Sequence, residues 1–248
     1  MSDEKRGADL NEGPSVGTEA TETSGTTTTQ TPDPKKSRRK PAIVIGIIAV
    51  IAVAAVGVFI WHNDPSFCGA VCHDSMSTYV NTYNEKSGQA GTDAYGNAVA
   101  DSSAMLVVSH KDAGLNCLSC HVPTLSQQLG EVQETLAGSY YYPLEEVGVE
   151  QLMVNSGHEA GTGDQFCLRS GCHEFTRADL TEKTADLEFN PHQWHHSDTT
   201  CSDCHKSHRA SVFSCTQCHS SAYGSMPDGW VSYAEGRQIL EAGYNAGK

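Results

Sequence analysis

Ten cysteines fall into five pairs, and in every pair the second cysteine is followed directly by histidine. The pairs are Cys68/Cys72-His73, Cys117/Cys120-His121, Cys167/Cys172-His173, Cys201/Cys204-His205 and Cys215/Cys218-His219. The chain has only 12 histidines in 248 residues, so five such adjacencies do not arise by chance. An even cysteine count outside the cytoplasm first suggests disulfides, and paired cysteines also bind zinc. Neither chemistry needs histidine after each second cysteine. Covalent haem attachment does: two thiols add across the vinyl groups of one porphyrin, and the adjoining imidazole ligates its iron. The pattern predicts five covalently bound haem c groups, with the ten cysteines as attachment points and the five adjoining histidines as proximal ligands. Three pairs have the usual two-residue spacing. The first has three intervening residues and the third has four, and a longer loop can still bring both sulfurs to one porphyrin edge.

The rest of the composition agrees. From His62 to Lys248 only about 16% of residues are Leu, Ile, Val or Phe, and 23 acids face 9 bases. That aliphatic content is below the roughly 20% at which high net charge signals disorder. Five apolar macrocycles would supply the missing core.

The N-terminal 34 residues are polar and aperiodic, with the run TTTTQTPDP, and read as disordered. Lys35 to Lys40, KKSRRK, is a basic cluster. The neighbouring segment argues against a nucleic-acid patch: Ala42 to Trp61 is 20 residues without a charge, the length of a membrane-crossing helix. Basic residues before a span stay in the cytoplasm. The expected plan is a cytoplasmic tail over 1–40, a single-pass anchor over 41–61, and an extracytoplasmic haem domain over 62–248. A signal peptide cleaved near Ala54-Ala55 is the competing reading, but its apolar region would be shorter. The acidic excess lies wholly outside and suits steering toward a basic partner.

The first motif follows the anchor within six residues, so its haem is expected at the membrane surface, within reach of a lipid-soluble carrier. Residues 84–104 read as a surface loop. Leu125, Leu129, Val132 and Leu136 recur at helical spacing, and this amphipathic helix is expected to pack on the protein. Residues 145–155, 176–188 and 229–242 are further helical candidates, and no stretch reads as a sheet. The expected fold class is mainly α with much irregular structure, a transmembrane helix followed by a haem-packed multihaem cytochrome c domain.

Phe67 to Met76, FCGAVCHDSM, and Cys117 to Pro123, CLSCHVP, resemble the NapC/NirT family of membrane-anchored cytochromes, which includes the small subunit of cytochrome c nitrite reductase. Thr199 to His208, TTCSDCHKSH, is similar to that family's fourth-haem motif, and the resemblance covers roughly residues 40–208. It implies a quinol dehydrogenase of anaerobic respiration that delivers electrons to a separate reductase. By position it makes Met76 the methionine near the quinol-side haem, and His110 and His208 distal ligands. The chain departs from the family in the wider first motif, which leaves Met76 and His73 both open as ligands to the first iron. It also departs in the absence of a lysine between residues 123 and 168, in the insertion before His110, and in a fifth motif.

Seven histidines lie outside the motifs, and five irons each have a position to fill. His110, His158, His195 or His196, and His208 are the expected distal ligands, with His62 interfacial. Bis-histidine iron transfers electrons but binds no substrate. The leading expectation is a pentahaem carrier that accepts electrons from quinol, menaquinol above all. It would pass them to an extracytoplasmic reductase of the nitrite or nitrate type, or to a flavin-dependent one, docking near Cys215 to His219. The alternative is a reductase acting directly on nitrite at one open haem. A haem-free preparation is expected to show no cooperative unfolding transition by calorimetry or circular dichroism; a native-like transition would refute the dependence of this fold on haem.

Overall fold

The computed structural model describes residues 39–71, 74–139, 148–155, 161, 163–193 and 199–246. The chain divides into two units, Met1–Ile47 and Ile48–Lys248. The described part of the first is the opening of the helix Arg39–His62. Pro41 falls in its first turn, where a missing N–H costs nothing. From Pro41 to His62 the helix is long and apolar enough to cross a membrane, and its Ile and Val side chains are exposed. Such β-branched residues are mediocre helix formers in water. In a lipid environment, where every backbone group must be satisfied within the segment, such a sequence would be held as a helix.

The remaining elements belong to the second unit. The long helix ends where the Asn63 side chain donates to the Phe59 carbonyl (2.8 Å). Asp64 then caps the next helix, Pro65–Val71, by accepting from the Ser66 N–H (2.8 Å), with proline at the first helical position. Trp61 donates to Ser66 Oγ (3.2 Å) and meets the Phe67 ring edge-on, with centroids 4.9 Å apart. The first motif is thereby folded against the C-terminal end of the long apolar helix.

The buried apolar core is small: Val99, Ala104, Met105, Val108 and Ala210, with Val107, Trp230 and Val231 packed around it. Backbone bonds join its two halves. Leu106 and Val107 donate to the carbonyls of Lys206 (2.8 Å) and Ser207 (3.1 Å), and Ser211 donates to Ala104 (3.0 Å). A two-residue parallel ladder then pairs Val212–Phe213 with Val231–Ser232. The segment before the second motif is thus held against the segment between the fourth and fifth.

Two expectations need correction. The insertion is no plain surface loop. Gly91–Thr92 pairs antiparallel with Ala98–Val99 around Asp93, whose buried carboxylate accepts from the N–H groups of Tyr95 (2.9 Å) and Asn97 (2.8 Å). The insertion also sends Val99 and Ala104 into the core, beside Met105. The hairpin is two residues a side and polar, which is why no alternation signals it. Second, the helix Leu125–Ala137 forms as expected, between a Thr124/Gln127 capping box and the left-handed Gly138. Its Leu125, Leu129, Val132 and Leu136 are exposed rather than packed on the protein, because the core is closed by residues 99–108 and 210–231 instead. The candidates at 145–155, 176–188 and 229–242 contain the helices Val149–Asn155, Arg177–Lys183 and Tyr233–Ala246, the last running on beyond its expected end; residues 140–147 lie outside the described residues.

Met105 is fully buried at the centre of this core. Met105→Ala is expected to cost the holoprotein about 2–5 kcal/mol, a large share of the stability of so small a core, read as an earlier midpoint in denaturant melts followed at the haem absorption.

Candidate haem-binding centres

The four described motifs share one local geometry. A capping residue precedes the first cysteine in two of them: Asn116 accepts from the Ser119 N–H (3.1 Å), and the Asp203 carboxylate accepts from the Thr200 N–H (2.6 Å). The histidine N–H then donates back to the carbonyl of the first cysteine. The distances are 2.8 Å for His121, 3.0 Å for His205 and 2.9 Å for His219. The third motif has two extra residues and ends in the same place. Cys172 N–H bonds to the Arg169 carbonyl (3.0 Å), Gly171 takes a positive φ of 82°, and His173 still donates to the Cys167 carbonyl (3.3 Å). The extra residues bulge outward, at a position where glycine alone accepts that φ without strain.

Three of these histidines face an imidazole from outside their own motif. His121 and His208 have ring centroids 6.4 Å apart, His173 and His110 6.0 Å, and His205 and His192 6.3 Å. A metal–imidazole bond is about 2 Å and the ring centre lies about 1 Å beyond the nitrogen, so two imidazoles on opposite faces of one iron have centroids about 6 Å apart. All three pairs meet that spacing. The distal rings share a further feature, an oxygen against Nδ1. His110 Nδ1 lies 2.7 Å from the Leu106 carbonyl, which can only accept. His208 Nδ1 lies 2.8 Å from Thr82 Oγ1, whose own hydrogen goes to the Tyr79 carbonyl (2.7 Å). His192 Nδ1 lies 3.2 Å from Thr184 Oγ1. A proton held on Nδ1 leaves the Nε2 lone pair for a metal, and a bonded Nδ1–H is the usual outer partner of a ligating histidine. Zinc fits poorly: it takes four protein ligands at a structural site, and among the described residues no cluster of three or more His, Cys, Asp or Glu could hold a metal. Pairs of imidazoles suit a macrocycle that brings four nitrogens of its own. Among the described residues no two cysteines are joined by a disulfide.

Electrostatics favours neutral, ligand-ready rings. Burial lowers His208 to about 3, helped by His121. Burial lowers His205 to about 4, helped by His192, His173 and His110. His192 is lowered by burial and by Arg177.

The motifs neighbour one another in chain order. Asn116, beside Cys117, donates to the Asn63 carbonyl (3.0 Å), five residues before Cys68. The His173 ring of the third motif lies beside His110, just ahead of the second. The third and fourth are joined through Asp164, and nine residues separate His205 from Cys215. An ion pair fixes the third link. Arg177 grips Asp164 with two nitrogens (2.6 and 2.7 Å), and that carboxylate also accepts from the Cys201 N–H (3.1 Å).

Of the residues singled out in the sequence, the structure brings His110 and His208 beside motif histidines. Met76 is half-buried on the helix Asp74–Asn84. Cys72, His73, His158, His195 and His196 lie outside the described residues. His62 approaches Gln128 (3.3 Å) and the Phe67 ring. His192 was not favoured by the sequence, because nothing in the spacing separates it from His195 and His196. The signal available was Asn190, two residues earlier, a residue type that organises tight loops.

The cytochrome c3 family matches residues 109–220. The cytochrome c-type protein Cgr1 of Eggerthella lenta is 49% identical over 211 residues, covering 85% of this chain and 95% of its own length. No solved structure matches the chain. Haem-attachment motifs throughout the chain and this level of identity converge: the chain belongs to the cytochrome c3-like family of multihaem c-type cytochromes, electron-transfer proteins with covalently bound haem c.

Proposed function

We propose that this protein is a membrane-anchored pentahaem electron carrier. It takes electrons from quinol beside the first motif and passes them to an extracytoplasmic reductase at the last two. The observation that carries this reading is the pairing of imidazoles at three motifs, His121/His208, His173/His110 and His205/His192, at the spacing that two ligands of one iron would have. Centres closed on both sides suit conduction rather than substrate binding.

Haem c, when bound, supplies reversible one-electron chemistry. The chain's own residues do the rest. The paired cysteines fix each macrocycle covalently. The pairs His121/His208, His173/His110 and His205/His192 would fill both axial positions at three centres, leaving no place there for nitrite or another small acceptor, which favours a carrier over a direct reductase. Burial favours the neutral form of His121, His192, His205 and His208, which keeps these four available as ligands. Oxidation of a quinol yields two electrons and two protons. With the N-terminus cytoplasmic, the electrons would enter at the first motif and the protons would be released outside. The resemblance of Phe67 to Met76 to the NapC/NirT cytochromes supports quinol as donor, with menaquinol the expected one. The acceptor is a separate reductase, of the nitrite or nitrate type or flavin-dependent. The net charge of −14 would steer it through a basic face.

Full-length protein in liposomes is expected to be reduced by a menaquinol analogue, followed at the haem absorption, and to carry five haems by pyridine haemochrome assay and intact mass. Reduction by dithionite but not by quinol would overturn the donor, and a lower haem count would overturn the pentahaem reading.

A further inference from the structure

The loop from Thr184 to Gln193 is built more tightly than a surface connection requires, and its organising residue is Asn190. The Asn190 Oδ1 accepts from the N–H groups of His192 (3.0 Å) and Gln193 (3.1 Å) and from Thr184 Oγ1 (2.6 Å). Its Nδ2 donates to the Thr181 carbonyl (2.8 Å), and Thr181 Oγ1 donates in turn to the His192 carbonyl (2.7 Å). Both sides of the His192 backbone are therefore fixed. The ring is fixed as well. A threonine hydroxyl has one hydrogen, and oxygens of Leu180 (2.8 Å) and Asn190 (2.6 Å) stand ready to accept it. What remains toward His192 is a lone pair, so His192 Nδ1 is the donor and Nε2 is unprotonated. The ring plane lies within 7° of that of His205, whose other neighbour is the edge of Trp230, 5.2 Å away.

We infer that His192 is the distal axial ligand of the iron held by Cys201, Cys204 and His205, and that Thr184 is the positioning residue that sets its tautomer and its plane. The inference rests on the reading that the fourth motif carries haem, and it assigns a role that the motif pattern leaves equally to His195 and His196.

Ring orientation makes the assignment measurable. The angle between two axial imidazole planes sets the splitting of the iron d orbitals in low-spin ferric haem. Near-parallel planes split them strongly and give a rhombic EPR spectrum. Near-perpendicular planes leave them almost degenerate and give a spectrum with a very large maximal g value. The His205/His192 pair, at 7°, belongs to the first class, and the His173/His110 pair, at 70°, to the second. The hydrogen bond to Thr184 makes the imidazole a stronger donor and lowers the potential of its iron.

The test uses full-length holoprotein, with haem attachment at Cys201 and Cys204 first mapped by peptide mass. In H192A, one haem equivalent of rhombic low-spin signal is expected to vanish and a high-spin ferric signal to replace it, while the large-g signal stays and added imidazole restores the low-spin form. T184V, in which the ring stays but its acceptor is lost, is expected to keep all haem and raise one midpoint potential, with T184S returning it to the starting value. A rhombic signal that survives in H192A at full haem content overturns the inference, as does its loss in H195A or H196A instead. If H192A does not assemble, an unshifted set of potentials in T184V overturns it. Absence of haem on the Cys201 peptide in the parent protein would instead overturn the reading beneath it.

Discussion

Two of the described motifs find their partner imidazole far away in the chain, and the fold is arranged to deliver it. His208 comes back from beyond the fourth motif to face His121, and His110 reaches forward past the second to face His173. Neither approach is local, so both depend on the backbone stitching of residues 104–107 to 206–211. The small apolar core sits at that crossing. Its task is less to bury a large surface than to hold two histidine-bearing segments in register. Two imidazoles about 6 Å apart would gain little from the arrangement alone; in the proposed reading an iron between them would turn the spacing into two bonds. Metal binding and folding would then be one equilibrium.

The centres were legible in the sequence to the extent that their chemistry is contiguous. A cysteine pair and the histidine beside it lie within one turn of chain, so Cys117 to His121 can be read directly, and even the widened Cys167 to His173 closes through the same carbonyl. The apolar helix was legible for the same reason, since its signal is an unbroken run. Distal ligands are a tertiary property. His110 and His208 could be proposed from a resemblance, but His192 was indistinguishable from its neighbours His195 and His196 until the Asn190 loop set its ring against Thr184. The hairpin at 91–99 was missed because its register is carried by a single buried carboxylate, Asp93, rather than by alternating apolar residues.

The order of the motifs also has a physical cause. Short links keep successive motifs adjacent, and side-chain bonds remove the freedom that remains. Asn116 donates to the Asn63 carbonyl (3.0 Å), tying the second motif to the end of the apolar helix, and the Arg177–Asp164 pair ties the third to the fourth. That ion pair is half-exposed, and an isolated pair of this kind adds little stability. Its geometry is bidentate, however, and its carboxylate also holds the backbone of Cys201. Its value lies in fixing the separation of two centres rather than in energy.

A carrier has to combine rigidity along its length with access at its ends, and the burial pattern has that form. Between the ends, Met105, Val108, Ala210 and Ser211 are almost wholly buried. At the last motif, Cys218 and His219 are exposed, with Phe189 the aromatic neighbour of the His219 ring. At the first, the helix Leu125–Ala137 turns an apolar face outward while Gln128 reaches His62 at the end of the apolar helix. Exposure costs something at either end, in apolar area at one and in desolvation of a charged partner at the other. The two kinds of exposure suit different exchanges. In the proposed reading the apolar face would suit a hydrophobic donor arriving from lipid. A solvent-facing centre on a strongly acidic protein would suit an acceptor guided by long-range charge, with encounters that slow as salt rises. In the proposed reading the direction of electron flow is therefore written into the surface as well as into the iron centres.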